Sequence, residues 1–89
     1  MFIGSEYKLR EDREAASETS LGYKRIVIKD RVLSRTETRR KKDALFVEVT
    51  SYHYTLMCLV DGYYSAEIIE NQLQSEVTAG LYEFSVFGA

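Results

Sequence analysis

His53 and Cys58 are the two side chains in this sequence that suggest a nucleophile and its base. A thiol is activated when a nearby histidine takes its proton, which requires the two groups to be within hydrogen-bonding distance. Both lie in the apolar and aromatic stretch 44–60, whose β-branched residues favour an extended strand. Five positions apart on a strand, they point to opposite faces and are about 16 Å apart. We therefore predict no catalytic residue and interpret Cys58 as a buried apolar side chain.

Metal and cofactor sites have no signature in this chain. A zinc site needs about four nitrogen or sulfur ligands, which a single histidine and a single cysteine cannot supply. The carboxylates show no calcium-loop spacing. The five glycines are scattered rather than grouped into a phosphate-binding loop. We predict no metal, no cofactor and no enzymatic activity.

Basic residues are confined to the first part of the chain. All 12 lysines and arginines lie at or before Lys42, and with seven acids they give this part a net charge of +5. From Asp43 onward, seven acids and no basic residue give −7. Such asymmetry indicates either a nucleic-acid surface or two parts that neutralise each other, within one chain or between copies.

The composition is that of one small globular domain, residues 1–89. Hydrophobic residues make up 45% and charged residues 29%, which argues against disorder. No apolar run reaches the ~20 residues that a helix needs to cross a bilayer, and nothing resembles a signal peptide. One cysteine cannot form an internal disulfide. We expect a soluble, cytoplasmic protein with no membrane partner.

Alternating and β-branched segments predict an antiparallel sheet of about four strands, at residues 2–10, 22–37, 43–60 and 81–87. The second and third form a long hairpin with a basic tip at residues 39–42, in a register that places Thr38 opposite Asp43. At ~3.3 Å per residue the third strand is longer than a domain of this size. We expect a bulge or break near Thr50-Ser51, or a ribbon that projects from the body.

The segment after Asp61-Gly62 allows two interpretations. In the one that we favour, residues 65–79 form an amphipathic helix that packs on the sheet, with Gly80 as its C-terminal stop. In the alternative, Asp61-Gly62 is a two-residue hairpin turn and residues 63–70 return as a strand, with His53 opposite Glu70. The favoured interpretation gives an α+β fold with one helix.

Basic and aromatic residues supply the candidate binding surface. Tyrosine is favoured at protein interfaces because its ring is apolar and its hydroxyl is polar. A long ribbon without proline also invites pairing with another chain along an exposed edge. We therefore predict a protein-interaction module that binds a protein partner and self-associates through a sheet edge. The predicted partner-binding residues are Arg35, Arg39, Arg40, Lys41, Lys42, Tyr52, Tyr54, Tyr63 and Tyr64.

Two classes of function are compatible with this surface. The first hypothesis is a regulator or inhibitor of a macromolecular partner. Short one-domain chains without motifs are common among phage and plasmid proteins that block host enzymes, and a viral origin is expected on that frequency alone. The alternative is a nucleic-acid-binding protein. A basic β-ribbon can follow phosphates, and Tyr52 and Tyr54, two apart on one strand, can stack bases.

Overall fold

A computed structural model describes residues 1–10, 19–40 and 47–86 of the 89-residue chain. Its elements are β1 (Glu6–Leu9), β2 (Arg25–Arg40), β3 (Glu48–Val60), β4 (Tyr64–Ile69), α1 (Glu70–Thr78) and β5 (Tyr82–Val86). The strands form one antiparallel sheet in the order β4-β3-β2-β1-β5. The predicted α+β fold is confirmed, with one helix on an antiparallel sheet in the part of the chain that the structure describes. The described residues contain five strands rather than about four.

The hydrophobic core lies between α1 and one face of the sheet, called the core face below. Strand alternation brings every second residue of β2, β3 and β4 to this face, and α1 and β5 complete it. Burying one large apolar side chain contributes about 1.5–3 kcal/mol. The buried apolar residues are Ile26, Ile28, Leu56, Cys58, Val60, Ile68, Leu73 and Tyr82.

The predicted helix over residues 65–79 is wrong in its first part. Tyr64–Ile69 is strand β4, and the helix begins at Glu70. Ala66 and Ile68 face the core from the strand, whereas Ile69, which helical spacing groups with Ala66, is exposed. Pairing with β4 also provides backbone partners for that edge of β3. The alternative interpretation, a returning strand, is correct for this segment.

The turn between β3 and β4 has the backbone conformation that an Asp-Gly pair favours. Asp61 and Gly62 both have positive φ angles, of 53° and 79°, as a type I′ turn requires. Tyr63 adds a third residue to the connection, so the register moves by one position from that of a two-residue loop. The expected pairing of His53 with Glu70 is therefore wrong.

The end of the helix is as predicted. Gly80 has a φ of 80°, and its N–H donates to the carbonyl of Val77 at 3.1 Å. The N–H of Leu81 donates to the carbonyl of Glu76 at 2.9 Å, which satisfies a second carbonyl of the last turn. Glycine adopts this left-handed conformation without the steric cost of a Cβ.

A buried carboxylate attaches the chain before β2 to this helix. Glu76 is only 7% exposed and accepts hydrogen bonds from Thr19 Oγ1 at 2.9 Å, Ser20 N at 2.8 Å and Ser20 Oγ at 3.0 Å. Tyr82 donates its hydroxyl to the carbonyl of Tyr23 nearby. A buried charge requires such donors, and these bonds hold residues 19–23 against the body.

Strands β2 and β3 form the predicted hairpin in a different register. Thr38 pairs with Thr50 rather than with Asp43, because the connection between the strands is longer than a tight turn. Arg39 and Arg40 consequently belong to β2. The rest of the predicted basic tip, Lys41 and Lys42, lies outside the described residues.

The far part of this hairpin projects from the body. β1 pairs with β2 only over residues 25–27, and β4 pairs with β3 only over residues 55–60. Residues 33–40 of β2 and 48–54 of β3 thus form a two-stranded ribbon in a molecule of 48 × 27 × 20 Å. This ribbon, together with residues 31–32 of β2 at its base, is called the arm below. Among the described residues, the hairpin thus extends beyond the strands that flank it, which is the second of the two alternatives expected from its length. The register shifts lie in β2, at residues 28–30 and 33–35, and not near Thr50-Ser51.

Candidate partner-binding arm

The seven predicted binding residues that the structure describes do not form one surface. Arg35, Arg39 and Arg40 lie on β2 of the arm, and Tyr52 and Tyr54 lie on the adjacent strand β3. The structure therefore brings these five side chains together on one two-stranded element.

Tyr63 and Tyr64 lie in the turn after β3 and at the start of β4, at the end of the hairpin opposite to the arm. Tyr63 is 85% exposed in the turn, and its ring packs edge-on against Tyr64 with centroids 6.4 Å apart. The length of strand between Tyr52 and Val60, where this turn begins, is about 26 Å at ~3.3 Å per residue. A single side chain of a partner that contacts Tyr52 therefore cannot also reach Tyr63 or Tyr64.

The two faces of the arm differ in chemistry. Tyr52 and Tyr54 continue the row of Leu56 and so extend the core face outward. On the opposite face, Arg35 pairs with His53. The first face, called the aromatic face below, carries the two tyrosines and, at its far end, the Arg40–Glu48 pair. The opposite face, called the charged face, carries Arg35, Glu37, Arg39 and His53.

A single carboxylate contacts three basic side chains on the charged face. Arg39 Nε donates to Glu37 Oε1 at 2.7 Å. Arg35 and His53 approach the other carboxylate oxygen at 3.8 and 3.5 Å. The hydrogen bond from Arg39 lowers the pKa of Glu37 below its ordinary value of 4.5, so the carboxylate stays ionised. Arg35, Glu37 and Arg39 are two positions apart on a strand and share a face, so the sequence already contained this signal.

Arg31 connects the arm to the body. Its guanidinium donates to both oxygens of Glu70, with one bond at 2.8 Å, and its Cζ lies 3.5 Å from the centroid of the Tyr54 ring. Bidentate arginine–carboxylate pairs are among the stronger polar contacts, and the ring adds a cation–π contact. Glu70 is the first residue of α1. Sequence analysis missed this pair because 39 positions separate its members.

Replacing Glu70 with glutamine is expected to lower the free energy of unfolding by about 1.5–3 kcal/mol at neutral pH. The hydrogen bond from Arg31 is the largest cause that lowers the pKa of Glu70 from its ordinary 4.5. The stabilisation is therefore complete above that ordinary value and is lost as the pH falls through the lower pKa of the folded state. Urea unfolding of both proteins between about pH 3 and pH 7 measures the difference, which should shrink towards acid.

The control for this variant is Glu67→Gln, which changes an exposed glutamate. Its effect is expected to stay within about 0.5 kcal/mol. A loss for Glu70→Gln that is the same at both ends of the pH range would contradict a stabilising ion pair.

Apolar side chains are exposed on both faces of the arm. Leu33 is 47% exposed and Tyr52 is 58% exposed on the aromatic face, while Val32 and Val49 are exposed on the charged face. Within the described residues no helix or third strand covers them. Removing such surface from water is worth roughly 25 cal/mol per Å², so a molecule that covers the arm gains free energy.

His53 and Cys58 do not form a dyad. Cys58 is buried on the core face, and this burial raises the pKa of its thiol to about 11, so the thiol stays protonated near neutral pH. His53 lies on the opposite face beside Glu37. The interpretation of Cys58 as a buried apolar side chain is confirmed.

Three further observations concern metal ligands, membrane-spanning helices and known proteins. In residues 1–10, 19–40 and 47–86, no three His, Cys, Asp or Glu side chains group as metal ligands would. None of the helical structure in these ranges is long and apolar enough to span a membrane. No protein-family model, curated protein or solved structure matches the chain.

Proposed function

We propose that this protein is a small interaction module that regulates or inhibits a protein partner by binding it with the arm. One observation carries the proposal: the arm leaves the body as a two-stranded ribbon with Leu33 and Tyr52 exposed. A two-stranded ribbon is only marginally stable in water by itself. A partner that covers the arm therefore stabilises its conformation and buries its apolar surface in the same step.

The strand edges of the arm offer backbone hydrogen bonds to such a partner. After Ile28, β2 pairs only with β3 among the described residues, and before Thr55 β3 pairs only with β2. An extended segment of another protein can add to an edge of this kind. Main-chain hydrogen bonds then supply affinity, and alternate side chains supply specificity.

The charges on the arm favour a protein surface over a phosphate backbone. Each arginine described in the arm has a carboxylate oxygen within 3.8 Å. The pairs are Arg31–Glu70, Arg35–Glu37, Arg39–Glu37 and Arg40–Glu48. These carboxylates repel phosphates and reduce the counterion release that drives nucleic-acid binding. A mixed array of both signs suits a protein surface with its own mixed charges.

Affinity capture from an extract of the source cells tests the proposal. The wild-type chain is expected to retain a specific protein, and the variant Arg39→Glu/Arg40→Glu/Lys41→Glu is expected to lose it. The reversal places acids beside Glu37 and Glu48 and removes the Arg39–Glu37 and Arg40–Glu48 ion pairs. The core is unchanged, so circular dichroism should report the same fold. Mass spectrometry identifies the retained protein.

The matched control reverses two exposed lysines of the body, Lys8→Glu/Lys24→Glu, and is expected to retain the partner. If the wild type and the arm variant retain the partner equally, the arm is not part of the interface. Retention of nucleic acid in place of protein would replace the proposal by the nucleic-acid alternative. Nucleic-acid binding predicts that the logarithm of the affinity falls linearly with the logarithm of the salt concentration, with a slope of about −0.7 to −0.9 per neutralised phosphate.

A further inference from the structure

Strand β2 is irregular where the arm joins the body. Its pairing with β3 shifts register twice, between Ile28 and Asp30 and between Leu33 and Arg35. A bulge bends and twists the strand that contains it and leaves the extra residue unpaired in the ladder. The pairing with β1 and with β4 also ends in this region, so among the described residues no third strand stiffens the ribbon beyond it. Residues 28–35 of β2, called the hinge below, are therefore the place where the arm bends most easily.

A group of contacts joins the hinge to helix α1. Arg31 lies between the two register shifts, and its guanidinium donates to both carboxylate oxygens of Glu70, the first residue of α1. The same guanidinium packs on the ring of Tyr54, the last arm residue of β3. Both strands of the ribbon are thus attached to the helix on the core face. The Arg31–Glu70 pair is called the clamp below.

The clamp differs from an ordinary surface ion pair. The side chain of Glu70 is 14% exposed and that of Arg31 is 32% exposed. The amino group of Met1 lies 3.3 Å from the same carboxylate and also restrains it. Exposed ion pairs between mobile side chains contribute little, whereas a bidentate pair between restrained side chains has a fixed geometry. Such a pair determines an angle as well as contributing to stability.

We infer that the clamp sets the angle between the arm and the body. A two-stranded ribbon with a bulged strand bends out of the plane of the sheet more readily than a wider sheet does. The clamp restrains this bending from the face on which α1 lies, and no element among the described residues holds the ribbon from the opposite face. Without the clamp the arm takes a range of angles. Arg40, about 17 Å beyond Arg35 along the strand, then moves farthest.

Arg31 is therefore a positioning residue for the binding surface of the arm, a consequence that rests on the proposed function. A partner that contacts Leu33 and Tyr52 meets them at a fixed angle, so binding does not include the entropy cost of fixing the arm. An arm that bends freely carries the same side chains but loses this freedom when the partner binds. The angle itself is a property of the free protein and does not depend on a partner.

Double electron–electron resonance on the free full-length chain tests the clamp. Nitroxides on Thr38→Cys in the arm and Gln74→Cys in α1 report the distance between arm and body, and Cys58 is buried and does not take a label. The wild-type chain with these labels is expected to show one narrow distance distribution. Glu70→Gln and Arg31→Met are each expected to widen it about twofold or more, because each removes the bidentate pair at the hinge. Circular dichroism verifies folding, and either variant is sufficient for the comparison.

The matched control is Arg25→Met, which removes the Arg25–Glu6 ion pair between β2 and β1, outside the hinge. It is expected to keep the narrow distribution even where it lowers stability. Arg31→Lys retains the charge without the bidentate geometry and should give an intermediate width.

Two outcomes overturn the inference. One is a wild-type distribution that is already broad. The other is a distribution in Glu70→Gln and Arg31→Met that stays as narrow as that of the wild type, because a pair that only adds stability leaves the folded molecules unchanged. No partner is present in this experiment, so its failure is distinguishable from a failure of the proposed function, which the capture experiment reports.

Discussion

Replacing Leu56 with alanine is expected to lower the free energy of unfolding by about 2–5 kcal/mol. Leu56 is fully buried and lies between Arg31 on β2 and Ile68 on β4, at the point where the arm joins the body. Truncation removes apolar contacts and leaves a cavity that the paired strands on either side keep open. A chain of 89 residues has a total stability of only about 4–13 kcal/mol, so this one change removes a large share of it.

Urea unfolding followed by far-ultraviolet circular dichroism measures this loss, and Leu33→Ala is the matched control. The same atoms are removed, but Leu33 is 47% exposed in the arm and has no cavity to leave. Its cost is expected to be below about 1 kcal/mol. Equal losses for the two variants would contradict the assignment of Leu56 to the core and Leu33 to the arm.

Tyr52→Ala is expected to weaken binding of the captured partner by about 2 kcal/mol or more, roughly thirtyfold in Kd. Tyrosine at the centre of an interface buries a large ring at a small cost in side-chain entropy. Tyr52 is 58% exposed and supports no part of the core, so the free energy of unfolding should change by less than about 0.5 kcal/mol. The expected result is a loss of affinity in a stable protein.

Isothermal titration calorimetry with the purified partner measures this effect, and Tyr63→Ala is its control. Tyr63 is more exposed than Tyr52 but lies in the turn at the opposite end of β3. If the arm is the binding element, Tyr63→Ala leaves the affinity unchanged, although the sequence alone placed both tyrosines in the candidate site. A similar loss from both variants, or from neither, would contradict binding through the arm.

Local patterns in the sequence were sufficient for most of the sheet. β-branched and aromatic residues around positions 26–28 and 52–60 predict strands because their side chains suit a pleated, half-buried surface. The excess length of the hairpin predicts either a bulge or break near Thr50-Ser51 or a projecting ribbon, since a body of this size cannot cover it. Gly80 predicts the end of the helix because the left-handed conformation there favours glycine. Each of these is decided by a few neighbouring residues.

The start of the helix could not be predicted in this way. Ala66, Ile69, Leu73 and Val77 follow helical spacing, but Ala66 belongs to β4 and Ile69 points away from the core. The strand instead turns Ala66 and Ile68 toward the core, and it forms because the edge of β3 is open for pairing. Only the folded sheet provides that edge.

The composition of the arm was evident from the sequence, whereas the pairing of its charges depended on register. Charge segregation, the clustering of tyrosines along the chain and a basic ribbon follow from residue types and alternation alone, whereas the exposure of Tyr52 was decided by the fold. The tertiary structure alone decided that Glu48 lies beside Arg40, and that Glu70 reaches back to Arg31. Cross-strand neighbours are set by the length of a loop and the position of bulges, and contacts between distant segments are set by packing. Neither is encoded in short-range spacing.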